Sequence, residues 1–335
     1  MIDRKLTISD VGEKKLIREF IKPFFNAEDD PCGVGDDCAM IELGDQIVLF
    51  STDRVPADLT AFRLGILDHH GLGGYLAQLN LSDIAACGGR PIGVLLNLGL
   101  PPNTAYEHVE SICKGFRLQA EKTGCRVLGG DITDSMELSI SATSVGLAKR
   151  SQVLRRRGAR PGDSIFISRP AGMTPAAFEY LLGNPAQELP EEDVARLREQ
   201  FTAMYPMVEL GQKLADSGVC TSCMDNTDGI GQSLSELGEA SCVSFVVDEA
   251  RINIPKLVIR VASLRNKEPL EFLFNGGADF SLIGTLRGQW NPNDAKVRFG
   301  ESLEIIGHVQ DGSGLRLLKS GVLHDLVFKG WNYFV

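Results

Sequence analysis

Residues 72–100 read LGGYLAQLNLSDIAACGGRPIGVLLNLGL, and two periodicities meet in them. Over about 72–87 apolar residues return at helical spacing, whereas Val-Leu-Leu-Asn-Leu-Gly-Leu at 94–100 is a short apolar run bounded by Gly and Pro, as strands are. On either side the pattern repeats. Residues 46–50, 138–147 and 164–168 have strand character, and a second helical pattern over about 104–123 follows Pro101-Pro102, with Asn103-Thr104 as its expected cap. Strands alternating with helices predict a mixed α/β protein and leave open whether the strands run parallel.

The basic, turn-rich stretch LAKRSQVLRRRGARPGD (147–163) sets an expected boundary near residue 150, giving domains 1–150 and 151–335. A chain of 335 residues is long enough for two cores. In the second half, 183–193 read as a polar surface loop and 229–240 as a helix with Ile230, Leu234 and Leu237 on its apolar face. With 43% hydrophobic and 23% charged residues the composition is that of an ordinary globular protein. No run of about 18 apolar residues is present and the first ten residues lack a signal-peptide core, so a cytoplasmic protein with no membrane partner is expected. The net charge of −10, from 34 Lys+Arg against 44 Asp+Glu, argues against broad nucleic-acid binding. The eight cysteines read as reduced thiols, and the one CxxC, Cys220 and Cys223, lacks the second pair a zinc site needs. His69-His70 are expected to be surface or loop residues, since neighbours on a helix point about 100° apart and do not share a metal.

The chemistry lies in where the aspartates fall. They stand in Gly35-Asp36-Asp37, Ser51-Thr52-Asp53, Asn80-Leu81-Ser82-Asp83, Gly129-Gly130-Asp131 and Asp225-Asn226-Thr227-Asp228-Gly229, several at the end of an apolar run. Each motif alone is an ordinary turn. Together they suit Mg²⁺, a hard cation taking oxygen ligands, placed between carboxylates and the phosphates of a nucleotide that bare aspartates would repel. Asn80 and Asp83 are three apart and share a helix face, Asp228 reads as a helix cap, and Thr227 as a phosphate contact at that helix N-terminus. No P-loop, protein-kinase or dinucleotide-binding motif is present.

Read in order, GVGDDCAM (33–40), STD (51–53), NLSDIAACGGRP (80–91), LGGDIT (128–133), RRRGARPGD (155–163), DNTDGIG (225–231), NGGADFSL (275–282) and FKGWNYF (328–334) resemble the thiamine-monophosphate kinase family. That family shares a superfamily with aminoimidazole ribonucleotide synthetase and selenophosphate synthetase. The resemblance implies an N-terminal α/β domain whose sheet pairs with its twin in a homodimer, a C-terminal α/β domain, and ATP between them. It implies Mg²⁺ ligands at Asp37, Thr52, Asp53, Asp83, Asp131, Asp225 and Asp228, with Asp83, Asp131 and Asp228 closest to the chemistry. It implies ATP contacts at Gly130, Asp131, Arg156 and Thr227, and acceptor contacts at Trp331 and Asp279. The reaction implied is direct transfer of the ATP γ-phosphate to a small phosphorylated metabolite, thiamine monophosphate or a relative.

The departures from the family pattern fall on the acceptor side. No histidine occurs in STDRVPADLTAF (51–62), Ala278 and Phe280 stand where the pattern has Glu and Tyr, and Ile132-Thr133-Asp134-Ser135 replace an arginine-bearing loop. A changed acceptor, and poor handling of thiamine monophosphate, is therefore expected. Two other readings stay open: an ATP-driven synthetase of the same superfamily, and a non-catalytic nucleotide-binding homodimer.

Overall fold

The computed structural model describes residues 7–21, 35–56, 58–183, 189–300 and 303–329. In chain order its main elements are β1 (Ala39–Leu43), β2 (Gln46–Val55), α1 (His69–Ala86), β3 (Arg90–Leu100), α2 (Tyr106–Glu121), β4 (Arg126–Asp134) and β5 (Ser139–Lys149). After the 150–163 connection come β6 (Ser164–Ile167), α3 (Met173–Leu182), α4 (Glu191–Glu199), α5 (Val208–Ser217), β7 (Cys220–Asn226), α6 (Ile230–Ser241) and β8 (Ser244–Asp248). The chain continues through α7 (Lys256–Arg265), α8 (Pro269–Asn275), β9 (Ser281–Leu286), α9 (Pro292–Phe299), β10 (Glu304–Gln310), β11 (Gly314–Lys319) and β12 (Val322–Asp325). Short helical turns at Ile8–Val11, Glu13–Leu16 and Thr60–Arg63 complete the set used below.

Two mixed sheets result. The first runs β1-β2-β5-β3-β4, the second β12-β11-β8-β10-β6-β9-β7. In the first, only β3 and β4 pair in parallel, because α2 carries the chain back across the sheet between them; β1–β2, joined by a tight turn, and the non-consecutive pairs β2–β5 and β3–β5 are antiparallel. The alternation of β5, buried at every second residue, lays Ile140 and Ala142 against Leu72, Leu76 and Phe116 of the helices. The second sheet has its own core around Ile165, Phe245, Ile283 and Leu234. α1 bridges the two, since its last residues Ala85 and Ala86 pack into a cluster with Leu210 and Leu214 of α5 and Phe166 of β6.

Glycines set how closely these layers approach. A Cβ at Gly73 would lie 2.0 Å from the Ile112 carbonyl oxygen, and one at Gly115 would lie 1.9 Å from that of His70, so α1 and α2 meet backbone to backbone. A Cβ at Gly130 would lie 1.6 Å from the Leu96 carbonyl oxygen, which explains this glycine by sheet packing before any ligand is considered.

Several local expectations change. α1 starts at His69 rather than Leu72, because Asp68 caps it by accepting from Gly71 N at 2.7 Å. The two histidines are thus helical, and His69 stacks on His108 with ring centroids 3.8 Å apart. α2 starts after Ala105, without a side-chain cap from Asn103 or Thr104. The polar stretch at 183–193 ends in helix, because Pro190 and three acidic residues open α4; its residues 184–188 lie outside the described residues. Among the described residues no helix is long and apolar enough to cross a membrane.

Candidate functional site

Period-2 geometry decides what β2 contributes. Ser51 and Asp53 share one sheet face and Thr52 the other. The Thr52 hydroxyl donates across the ladder to the Ala142 carbonyl oxygen at 3.0 Å, so its side chain is turned away from the expected ligand set. On the opposite face, Asp83 arrives from the last turn of α1: Ser51 Oγ donates to it and lies 3.5 Å from Asp53 Oδ2. Asp37 stands two residues before β1, and Asp225 at the end of β7 joins from the second sheet. Oxygens of Asp37, Asp83 and Asp225 all lie within 4.8 Å of one another, the one such group among the described residues.

Three carboxylates this close are in conflict. Two unit charges at 4.8 Å repel by about 3 kcal/mol at an effective dielectric of about 20. Burial and mutual repulsion both favour the protonated forms. Asp83 is held well above the ordinary carboxylate range by burial, then by Asp53, Asp225 and Asp37. Asp225, only 3% exposed, is pushed up to about 8 by burial and by Asp37. Burial raises Asp37 and Asp53 as well. Asp225 Oδ2 is buried with no hydrogen-bond partner. An unpaired acceptor beside two crowded carboxylates is what a small divalent cation with oxygen ligands would satisfy.

A belt of charge surrounds the cluster. Arg156 donates to Asp37 and to Glu236, both at 2.7 Å, and its backbone N–H donates to Asp36 at 2.7 Å. Burial works against its charge, but Asp37 and Glu236 more than offset it and hold the guanidinium above its ordinary range. Lys14, from the Glu13–Leu16 turn, pairs with Asp228 at 2.8 Å and with Glu236 at 2.7 Å. Asp228–Lys14–Glu236–Arg156–Asp37 is thus a continuous chain of alternating charge. Sequence reading passed over Lys14 and Glu236. Glu236 lies on the polar side of an amphipathic helix and Lys14 in a charged stretch more than 200 residues away, and only the fold joins them.

The remaining expected residues divide. Thr227 is half-buried, and its carbonyl oxygen accepts from Ala278 N at 2.7 Å, which places it beside the 276–279 loop. Asp228 is not the cap of α6: Gly229 is, with φ 97, and the Asp228 carboxylate goes to Lys14 instead. Asn80 does share α1 with Asp83, but it is fully buried and bonds back to the Leu76 carbonyl oxygen at 3.1 Å. Asp131 and Gly130 lie on β4, three strand spacings from β2, or about 14 Å. Asp131 is exposed there and does not join the cluster within one chain. Asp279, expected as an acceptor contact, is 6% exposed, and its two oxygens accept from Gly172 N at 2.7 Å and Thr174 N at 3.2 Å, holding the start of α3. Trp331 lies outside the described residues.

Residues 35–148 match the family model of the AIR synthase related protein, N-terminal domain. The thiamine-monophosphate kinase of Aquifex aeolicus is 30% identical over 332 residues, covering 98% of this chain and 100% of that protein. That of Pyrococcus horikoshii is 26% identical over 329 residues, covering 97% of each. A solved structure described as AaThiL complexed with AMPPCP and TMP superposes with a TM-score of 0.83 at 25% identity, covering 99% of this chain and 100% of that one. The shared fold, the near-complete coverage and the 30% identity together establish that the chain belongs to the thiamine-monophosphate kinase family.

Proposed function

We propose that this protein is a magnesium-dependent kinase that transfers the γ-phosphate of ATP to the phosphate of a small acceptor, thiamine monophosphate or a related metabolite. The observation that carries the reading is the Asp37–Asp83–Asp225 cluster with its unpaired Asp225 oxygen, in a chain whose relatives are named for this activity. Asp37, Asp83 and Asp225 would hold Mg²⁺ with Asp53 beside them, and the bound ion would supply positive charge against phosphate oxygens. Arg156 stays charged and adds a fixed cation next to Asp37. The N-terminus of α6, with Thr227 two residues before its cap, offers backbone N–H groups to an anion. Transfer between two phosphates needs alignment and neutralisation more than a general base, and the site has no histidine among the residues described above to act as one.

The structure supports the expected change of acceptor. Ala278 sits at φ 62, its N–H committed to Thr227 and its carbonyl oxygen accepting from Thr174 Oγ1 at 3.1 Å. Asp279 beside it is spent on α3 and does not replace a missing glutamate.

The first sheet also supports a homodimer. β4 pairs only with β3 among the described residues, is exposed along its length, and carries Val127, Leu128 and Ile132 at 39%, 53% and 67% exposure. An unprotected apolar edge is a template for another strand, and the proposed occupant is the same sheet of a second copy. Light scattering at micromolar concentration should read twice the chain mass, and the mass of a single chain would contradict the assembly.

Incubation with Mg²⁺, ATP and thiamine monophosphate, read by chromatography of the diphosphate, tests the activity. Asp83→Asn and Asp225→Asn are each expected to lower kcat at least about 100-fold with unchanged circular dichroism. Normal turnover in either variant removes that residue from the ligand set. ADP formation that no phosphorylated acceptor stimulates sinks the kinase reading in favour of a synthetase or a binding protein. For wild type, kcat/KM with thiamine monophosphate is expected below about 10⁴ M⁻¹s⁻¹ and Ala278→Glu should raise it. A higher wild-type value would show that the acceptor is unchanged.

The carboxyl shifts give a pH signature. Asp225 binds its proton more tightly folded than unfolded, so it lowers stability as pH rises from about 4, the ordinary value, towards its folded value of about 8. Below that window the penalty is absent. Mg²⁺ competes for the deprotonated form, so its stabilising shift in Tm should be larger at pH 8 than at pH 5, and Asp225→Asn should shrink the difference. Equal Mg²⁺ shifts at both pH values in wild type would contradict the cluster's role.

A further inference from the structure

We infer that the cleft between α1, α2 and the 201–204 turn is a second ligand site, built for a small flat molecule that turns an uncharged carbonyl oxygen inward to Gln78. The cleft encloses about 340 Å³, room for a compact ring compound. It is distinct from the aspartate cluster. Gly71, Gly74 and Gln78 share one face of α1, whereas Asp83, five residues beyond Gln78, lies about 140° round the helix.

Gln78 is the observation that points to a ligand. It lines the cleft, is 1% exposed, and its Nε2 has no hydrogen-bond partner. Its orientation is fixed by its neighbour. Gln119 Nε2 donates to the Met204 carbonyl oxygen at 2.9 Å, and its Oε1 accepts from Lys122 Nζ at 2.9 Å, so neither end of Gln119 can be exchanged. Gln119 Nε2 therefore meets Gln78 as a donor, at 3.1 Å from Oε1, and the Gln78 amide N–H groups are left over. A buried donor without an acceptor is costly unless something supplies one.

Gly74, one turn earlier on the same helix face, makes the same point. Packing demands Gly73 and Gly115, as above, but a Cβ at Gly74 would meet nothing nearer than the Gly115 carbonyl oxygen at 3.8 Å and Gln119 Cβ at 4.0 Å. Neither a close backbone nor a left-handed φ requires glycine there, and glycine weakens a mid-helix position. What its missing side chain leaves is open space over the cleft floor. Phe201 and Met204 give apolar walls. The Lys122 ammonium is already engaged by Gln119 Oε1 at 2.9 Å, so the donors left over for a ligand are the uncharged Gln78 amide N–H groups, which favours a carbonyl over a carboxylate.

Saturation-transfer NMR on the full chain, with benzamide as probe and toluene and benzoate as comparators, tests this. Benzamide should receive saturation and toluene, which lacks the acceptor, at least about tenfold less. Gln78→Met, which removes the donor at similar volume, and Gly74→Leu, which fills the floor, should each lose the benzamide signal while circular dichroism and kinase turnover stay as in wild type. Asp83→Asn should keep it. The proposal is overturned if toluene matches benzamide on wild type, if benzamide gives no signal because water alone satisfies Gln78, or if a folded Gln78→Met variant binds as wild type does. A benzoate signal stronger than benzamide's would also overturn the uncharged-carbonyl assignment.

Discussion

Three carboxylates drawn from a loop before the first sheet, the helix α1 and a strand of the second sheet, with oxygens inside 4.8 Å, are the constraint around which the rest of this molecule is arranged. Left alone they would push the sheets apart. The chain answers in two ways. Burial and mutual repulsion shift Asp83 and Asp225 towards holding their protons, and Arg156 brings a permanent positive charge to Asp37 at 2.7 Å. Arg156 is itself held by Glu236, and Glu236 by Lys14, so the N-terminal turn and α6 are tied electrostatically to the same point. Ion pairs of this kind contribute little when exposed, but a partly buried, connected set also fixes geometry.

The fold supplies the positions. Asp53 and Asp83 meet because the pleat of β2 turns Ser51 and Asp53 towards the last turn of α1 while sending Thr52 the other way. α1 can lie there because Gly73 and Gly115 let α2 press close, and because Ala85 and Ala86 are small enough to admit α5 from the second half of the chain. A Cβ at Gly211 would stand 2.0 Å from the Ala85 carbonyl oxygen, which marks how tightly the two halves meet two residues from Asp83. Asp53, Asp83 and Asp225 are thus set on regular elements, where packing locks their directions.

Much of this was legible in residues. The apolar runs at 46–50, 94–100, 138–147 and 164–168 all became strands, longer or shorter by a few residues, because their period matched a pleated, half-buried surface. Asp37, Asp53, Asp83 and Asp225 could be read as one acidic site since each stands beside a strand or helix end. The pattern does not show on which strand face a side chain falls, as at Thr52, or how far across the sheet of one chain it stands, as at Asp131. Nor does local pattern announce the partners two of these carboxylates have within the chain: Asp228 with Lys14, and Asp279 with the backbone of α3. Lys14 and Glu236 had no local signal, because their meaning exists only once residues 222 apart are neighbours.

The account rests on a divalent cation standing between these carboxylates and a nucleotide. Calorimetric titration of ATP into the full chain, once with Mg²⁺ and once with a chelator, tests it most directly. Without the ion, each unneutralised carboxylate opposes the triphosphate, so ATP affinity is expected to fall at least about 100-fold. Equal affinity in the two titrations would contradict the account.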